Sequence, residues 1–107
     1  MKRKIFHLVK EERSRLIEYI KETLQDKSEI AFAYLFGSFA EGLPFHDIDV
    51  GIYLSRVKEE TSTLYSLELT QTLSKNLQFP VDVRVINFAS ISFLYHEKRY
   101  QRTHLSF

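Results

Sequence analysis

Between Ile30 and Leu54 the chain carries two strand signals of different kinds, joined by a short connection, and a fold must accommodate both side by side. Ile30 to Phe36 is a nearly continuous apolar and aromatic run that stops at Gly37, the pattern of a buried central strand. Asp47 to Leu54 alternates strictly, with Ile48, Val50 and Ile52 facing one way and Asp47, Asp49 and Gly51 the other. Gly42 and Pro44 punctuate the return between them.

Helical periodicity flanks this pair. Leu16, Ile17, Ile20 and Leu24 recur at helical spacing between Glu11 and Lys27, with Glu18, Lys21, Glu22 and Gln25 on the opposite side. A second helix is predicted from Thr61 to Leu77, carried by Tyr65, Leu69, Leu73 and Leu77. Pro80 then opens a third strand, Val81 to Ile86, in which Val81, Val83 and Val85 share one face and Asp82 and Arg84 the other. The tail from Phe88 to Tyr100 reads as helical, with Ile91, Leu94 and Tyr95 as its apolar side. The order helix, strand, turn, strand, helix, strand, helix predicts an α+β (α/β) architecture, a small mixed sheet with helices packed mainly on one face. The 107 residues suffice for one core, so residues 1–107 are expected to form a single domain.

Several function classes are disfavoured at this point. A formal charge of +1 lacks the basic excess of a protein that grips a long nucleic-acid backbone. Without cysteine there is no disulfide framework, thiolate metal site or cysteine nucleophile. The basic, then apolar, start from Met1 to Val9 stops at Lys10, too soon for a signal segment or a membrane span. A soluble, cytoplasmic protein is expected.

Strands favour apolar and β-branched residues and disfavour Asp, yet three aspartates stand in predicted strands. Asp47 and Asp49 are separated by one residue, so their carboxylates leave the same face with origins roughly 7 Å apart. Like charges held this close repel and raise each other's pKa unless a cation lies between them. A divalent ion removes that cost. Asp82 lies in a strand of the same apolar and acidic alternation, and pairing of that strand beside Asp47 to Leu54 brings a third carboxylate to the cluster. Ligation by carboxylate oxygens alone suits Mg2+ or Mn2+ rather than zinc.

Gly37-Ser38 stands where the buried strand ends and a short helix, Ser38 to Glu41, can begin. A glycine there lets a phosphate approach the backbone, and helix N-terminal amides with a serine hydroxyl offer it donors. A phosphate cradle joined to metal carboxylates by one short connection is what nucleotidyl transfer needs: neutralisation of a triphosphate and in-line placement of the attacking hydroxyl.

Gly37-Ser38-Phe39-Ala40-Glu41-Gly42 followed by Asp47-Ile48-Asp49-Val50 resembles the G-S-x-n-D-x-D motif of the DNA polymerase beta superfamily of nucleotidyltransferases, and within it the minimal nucleotidyltransferase (MNT) group. Asp82 matches that family's third carboxylate. The resemblance implies a palm-like sheet in which Asp47 and Asp49 ligate both metals, Asp82 ligates the catalytic metal and helps deprotonate the acceptor, and Gly37 and Ser38 hold the β and γ phosphates. It also implies ATP as substrate, Mg2+ or Mn2+ as cofactor, and a helical HEPN-type protein as partner in a toxin–antitoxin pair, adenylylated by the MNT antitoxin. Glu41 stands where the family usually has Arg or Lys, and the spacer from Ser38 to Asp47 is slightly shorter than usual.

The chain ends soon after the predicted sheet, which disfavours activities that need an acceptor-binding lobe. Two rivals to the protein adenylyltransferase stay open: a non-catalytic module that masks its partner, and a small-molecule nucleotidyltransferase working as a homodimer, the simplest homo-oligomer. Among the remaining features, Ser38 can serve as a helix N-cap, Arg84 can neutralise phosphate or pair with a neighbouring carboxylate, and His46 reads as an exposed loop histidine. The R-x4-H string from Arg99 to His104 reads as coincidence in a short basic tail, and Phe93, Tyr95 and Tyr100 as a possible interface.

Overall fold

The two strand signals become adjacent antiparallel strands in a computed structural model of the protein, which describes residues 3–88 and 103–105. β1 (Ile30–Phe36) pairs with β2 (Ile48–Leu54) from Ile30 opposite Leu54 to Phe36 opposite Asp49, with an irregularity between Ile30 and Phe32. β3 (Val81–Val85) lies parallel to β2, in register from Ile48 opposite Val81 to Ile52 opposite Val85. β4 (Thr103–Leu105) adds antiparallel to the other side of β1, giving the strand order β3-β2-β1-β4. The mixed sheet agrees with expectation; β4 does not, because three residues are too few to show a period.

Helices α1 (Lys10–Gln25) and α3 (Glu59–Leu77) bury the predicted stripes. Ile20 and Leu24 of α1 and Leu69 and Leu73 of α3 join Ala33, Leu35, Ile48, Val50, Ile52, Leu54, Val81 and Val83 in one cluster, so the alternate residues of β2 that lack acids face the helices. Full burial of each large aliphatic side chain contributes about 1.5–3 kcal/mol. α1 begins at Lys10, one residue before the predicted Glu11, and α3 two residues before the predicted Thr61, because Glu59 and Glu60 lengthen its first turn without adding to the apolar stripe; Glu11 and Glu12 stand in the first turn of α1. Those carboxylates favour the positive end of the helix dipole. α3 ends at Gln78 in a left-handed conformation, with its N–H donated to the Ser74 carbonyl at 2.9 Å.

α3 also covers the outer side of β3. The Val81 N–H donates to Ser74 Oγ at 3.0 Å and the Val83 N–H to Thr70 Oγ1 at 2.9 Å. Helix hydroxyls thus satisfy donors that an edge strand would otherwise leave open to other chains.

Before α1, an N-terminal arm lies along the connection into β2. Phe6 and Phe45 exchange backbone hydrogen bonds of 2.8 and 3.1 Å. Their rings gather with Phe79, 4.9 Å from Phe6, and Phe39, 4.9 Å from Phe45. The helix predicted from Phe88 to Tyr100, with its aromatics Phe93, Tyr95 and Tyr100, and Arg99 of the R-x4-H string lie outside the described residues, apart from Phe88, which stands exposed in a turn. No described helix is long and apolar enough to cross a membrane.

Candidate active site

Antiparallel pairing sets the end of β1 beside the start of β2, and parallel pairing sets the start of β3 on the other side of that β2 start. Phe36 therefore stands opposite Asp49, and Asp49 opposite Asp82. Lateral partners in register project from the same face, so the second and third carboxylates leave the sheet side by side, on the face turned away from the helical core. Asp47 precedes β2 with the same parity as Asp49. All three acids are half-buried.

At the end of β1 the chain turns sharply. Gly37 has φ +73, a left-handed conformation that L side chains rarely adopt, and opens α2 (Gly37–Ala40). A Cβ placed on Gly37 would stand 2.8 Å from Asp49 Oδ2, so the carboxylate lies directly against the bare Cα. The sequence places glycine and acid twelve positions apart; strand pairing makes them neighbours. Gly51 leaves similar room farther along, where the Phe36 ring rests over its Cα, with Phe36 Cζ 3.1 Å from the place a Cβ would take.

α2 is short but its C-terminal end is closed completely. Gly42, with φ +76, allows the Leu43 N–H to reach the Ser38 carbonyl at 2.9 Å and its own N–H to reach the Phe39 carbonyl at 3.1 Å. Arg13 reaches over from α1, donating from Nε to the Phe39 carbonyl at 3.0 Å and from a terminal nitrogen to the Ala40 carbonyl at 2.7 Å. Its cation sits at the negative end of the helix and over the Phe39 ring, 5.6 Å from the centroid. Sequence reasoning missed Arg13, since a single Arg in a charged first helical turn carries no signal of a contact 26 positions away. Ser38 and Glu41 are exposed, and His46 is half-buried rather than exposed, its Nδ1 donating to the Lys4 carbonyl at 3.0 Å.

The acids already have cationic neighbours. Arg3 pairs with Asp47. Arg84 Nε stands 3.2 Å from Asp82 Oδ2, the ion pair that was one of its two sequence readings. The hydrogen bond and charge of Asp47, with a further pull from Asp49, raise the pKa of the Arg3 guanidinium, so the two carboxylates act on one place. Among the described residues no three His, Asp or Glu side chains are gathered as a ready-made ligand set. The donor chemistry nevertheless suits a hard divalent ion: oxygen donors alone, two in lateral register, one against a glycine that leaves room. Asp47, Asp49 and Asp82 would hold it once the arginines turn aside.

Residues 18–103 match the family model described as Polymerase beta, Nucleotidyltransferase. Among solved structures, the chain resembles a Shewanella oneidensis complex of tri-AMPylated HEPN toxin with MNT antitoxin, at 24% identity over 88% of this chain and 71% of that one, with a TM-score of 0.68. At that identity the likeness shows the fold. A mutant of the MntA–HpeT toxin–antitoxin complex matches at 27% identity, covering 83% of this chain and 70% of that one, TM-score 0.69. A toxin–antitoxin structure with AMP-PNP matches at 26%, covering 84% and 72%, TM-score 0.69. No curated protein matches the chain significantly. With its acid-bearing strands and glycine bend lying inside the matched span of residues 18–103, the chain belongs to the polymerase beta nucleotidyltransferase family.

Proposed function

We propose that this nucleotidyltransferase domain moves AMP from ATP to a hydroxyl group of a HEPN-type helical partner and acts as the antitoxin of that pair. The observation that carries the reading is the lateral register of Asp49 with Asp82 beside the Gly37 bend. The matched complexes support the choice of partner and nucleotide: one holds a tri-AMPylated HEPN toxin with an MNT antitoxin, another AMP-PNP.

In this reading the acceptor oxygen attacks the α-phosphorus, the bond from that phosphorus to the bridging oxygen breaks, and pyrophosphate leaves. Asp82 takes the proton of the attacking hydroxyl. Asp47, Asp49 and Asp82 hold the divalent ion, and bound Mg2+ supplies neutralisation of the charge that builds on the phosphate oxygens. The Gly37 backbone and the Ser38 hydroxyl offer donors to the phosphates, and the bare Cα of Gly37 leaves room for the Asp49 carboxylate beside them. Arg13 keeps the bend in shape from behind.

A second reading has one observation in its favour, the arginine partners of Asp47 and Asp82, which suit a module that masks its partner without chemistry. Labelled ATP, Mg2+ and the partner protein separate the two. Transfer of labelled AMP to the partner is expected for the wild type, with at least a hundredfold loss in Asp49→Ala, the scale of removing an electrostatic transition-state contact. Full neutralisation of the toxin by Asp49→Ala, without transfer, would establish masking instead.

A further inference from the structure

We propose that Arg3 is a tethered counter-cation that competes with divalent metal for Asp47. The inference rests on the metal-binding reading of Asp47 and Asp49. Three consecutive residues leading into β2 each take a partner from the arm: Phe45 exchanges backbone hydrogen bonds with Phe6, His46 Nδ1 donates to the Lys4 carbonyl at 3.0 Å, and Asp47 pairs with Arg3. The arm therefore follows the chain to the acid it covers, and Arg3 is delivered there rather than encountered. Aromatic packing anchors it: the Phe6 ring lies 4.9 Å from Phe79 and 5.6 Å from Phe45.

Without metal, two carboxylates one residue apart repel, and a guanidinium drawn by both relieves that repulsion. A metal ion at Asp47 needs the same oxygens, so the two cations exclude each other, and metal binding must displace Arg3. By linkage, removing the competitor tightens metal binding by the factor that the pair contributes. Arg3 keeps 60% of its side-chain exposure and Asp47 34%, so water screens the pair and the factor is modest. The anchor at Phe6 survives the exchange, and Arg3 stays within reach to return when the metal leaves.

Mn2+ binding to the purified chain, without nucleotide or partner, tests this through the paramagnetic resonance signal of the free ion in low salt. Arg3→Ala is expected to bind Mn2+ roughly two- to fivefold more tightly than the wild type, and Arg3→Lys to stay near it. Asp49→Ala is expected to lose the site. Unchanged or weaker affinity in Arg3→Ala, alongside loss in Asp49→Ala, overturns the competition and leaves the metal site standing. Equal uptake by wild type and Asp49→Ala overturns the metal reading of the acids, and the competition with it.

Discussion

At the Leu54 end of β2, polar groups close on half-buried partners, whereas at the Asp49 end carboxylates meet cations on exposed side chains. Asn87 Oδ1 accepts the Leu54 N–H and Nδ2 donates to the Leu54 carbonyl, both at 2.8 Å, so one side chain completes both backbone groups of a buried residue. Nearby the Tyr65 hydroxyl donates to Glu29 Oε1 at 2.7 Å, and the Ser55 N–H donates to the Glu29 carbonyl at 2.9 Å. The Tyr65 bond holds the Glu29 carboxyl below the usual carboxylate range, while burial first and Glu29 second push the Tyr65 hydroxyl up. At the other end the partners are guanidinium groups on exposed side chains, Arg3 and Arg84. Buried, fully paired polar groups specify a fold, and exposed ion pairs contribute little to its stability. One strand is therefore closed by hydrogen bonds at one end and flanked by exposed ion pairs at the other.

Breaking the closed end carries the larger stability cost. Asn87→Ala leaves the N–H and carbonyl of buried Leu54 without their partner and is expected to destabilise the fold by about 2 kcal/mol in denaturant titration, with Mn2+ affinity unchanged. A loss of Mn2+ binding at equal fold occupancy would show that the two ends are coupled.

Gly37→Ala sharpens the comparison from the acid end. A left-handed alanine costs about 1 kcal/mol. Its Cβ meets the far end of a flexible side chain, Asp49 Oδ2, which moves aside rather than opening the core. Nucleotidyl transfer is expected to fall at least tenfold while the melting temperature drops only a few degrees. A folded variant with undiminished transfer would detach the bend from the acids.

The two ends also differ in how far they could be read from sequence. Asp47, Asp49, Gly37 and Ser38 announce themselves, because acids at alternating strand positions and a glycine at a strand end contradict local propensity. Asp82 shows its pattern, but its place beside Asp49 depends on a parallel pairing that only folding fixes. The closed end was silent. Asn87, Tyr65 and Glu29 are ordinary residues at ordinary positions, and their hydrogen bonds span 33 to 36 positions. Arg3 and Arg13 were silent for the same reason, each reaching a partner set by how the arm and α1 pack. The helical stripes of α1 and α3 were legible because periodicity is local, whereas β4 has only three residues.

Substoichiometric Mn2+ added to isotopically labelled protein, with amide line widths followed across the sheet, tests the division of β2 most directly. Signals from Gly37, Asp49 and Asp82 are predicted to broaden first, and those of Leu54, Ser55 and Asn87, roughly 16 Å farther along the strand, last. Broadening that starts at the Leu54 end, or spreads evenly over all four strands, would contradict the assignment of the ion to the aspartates.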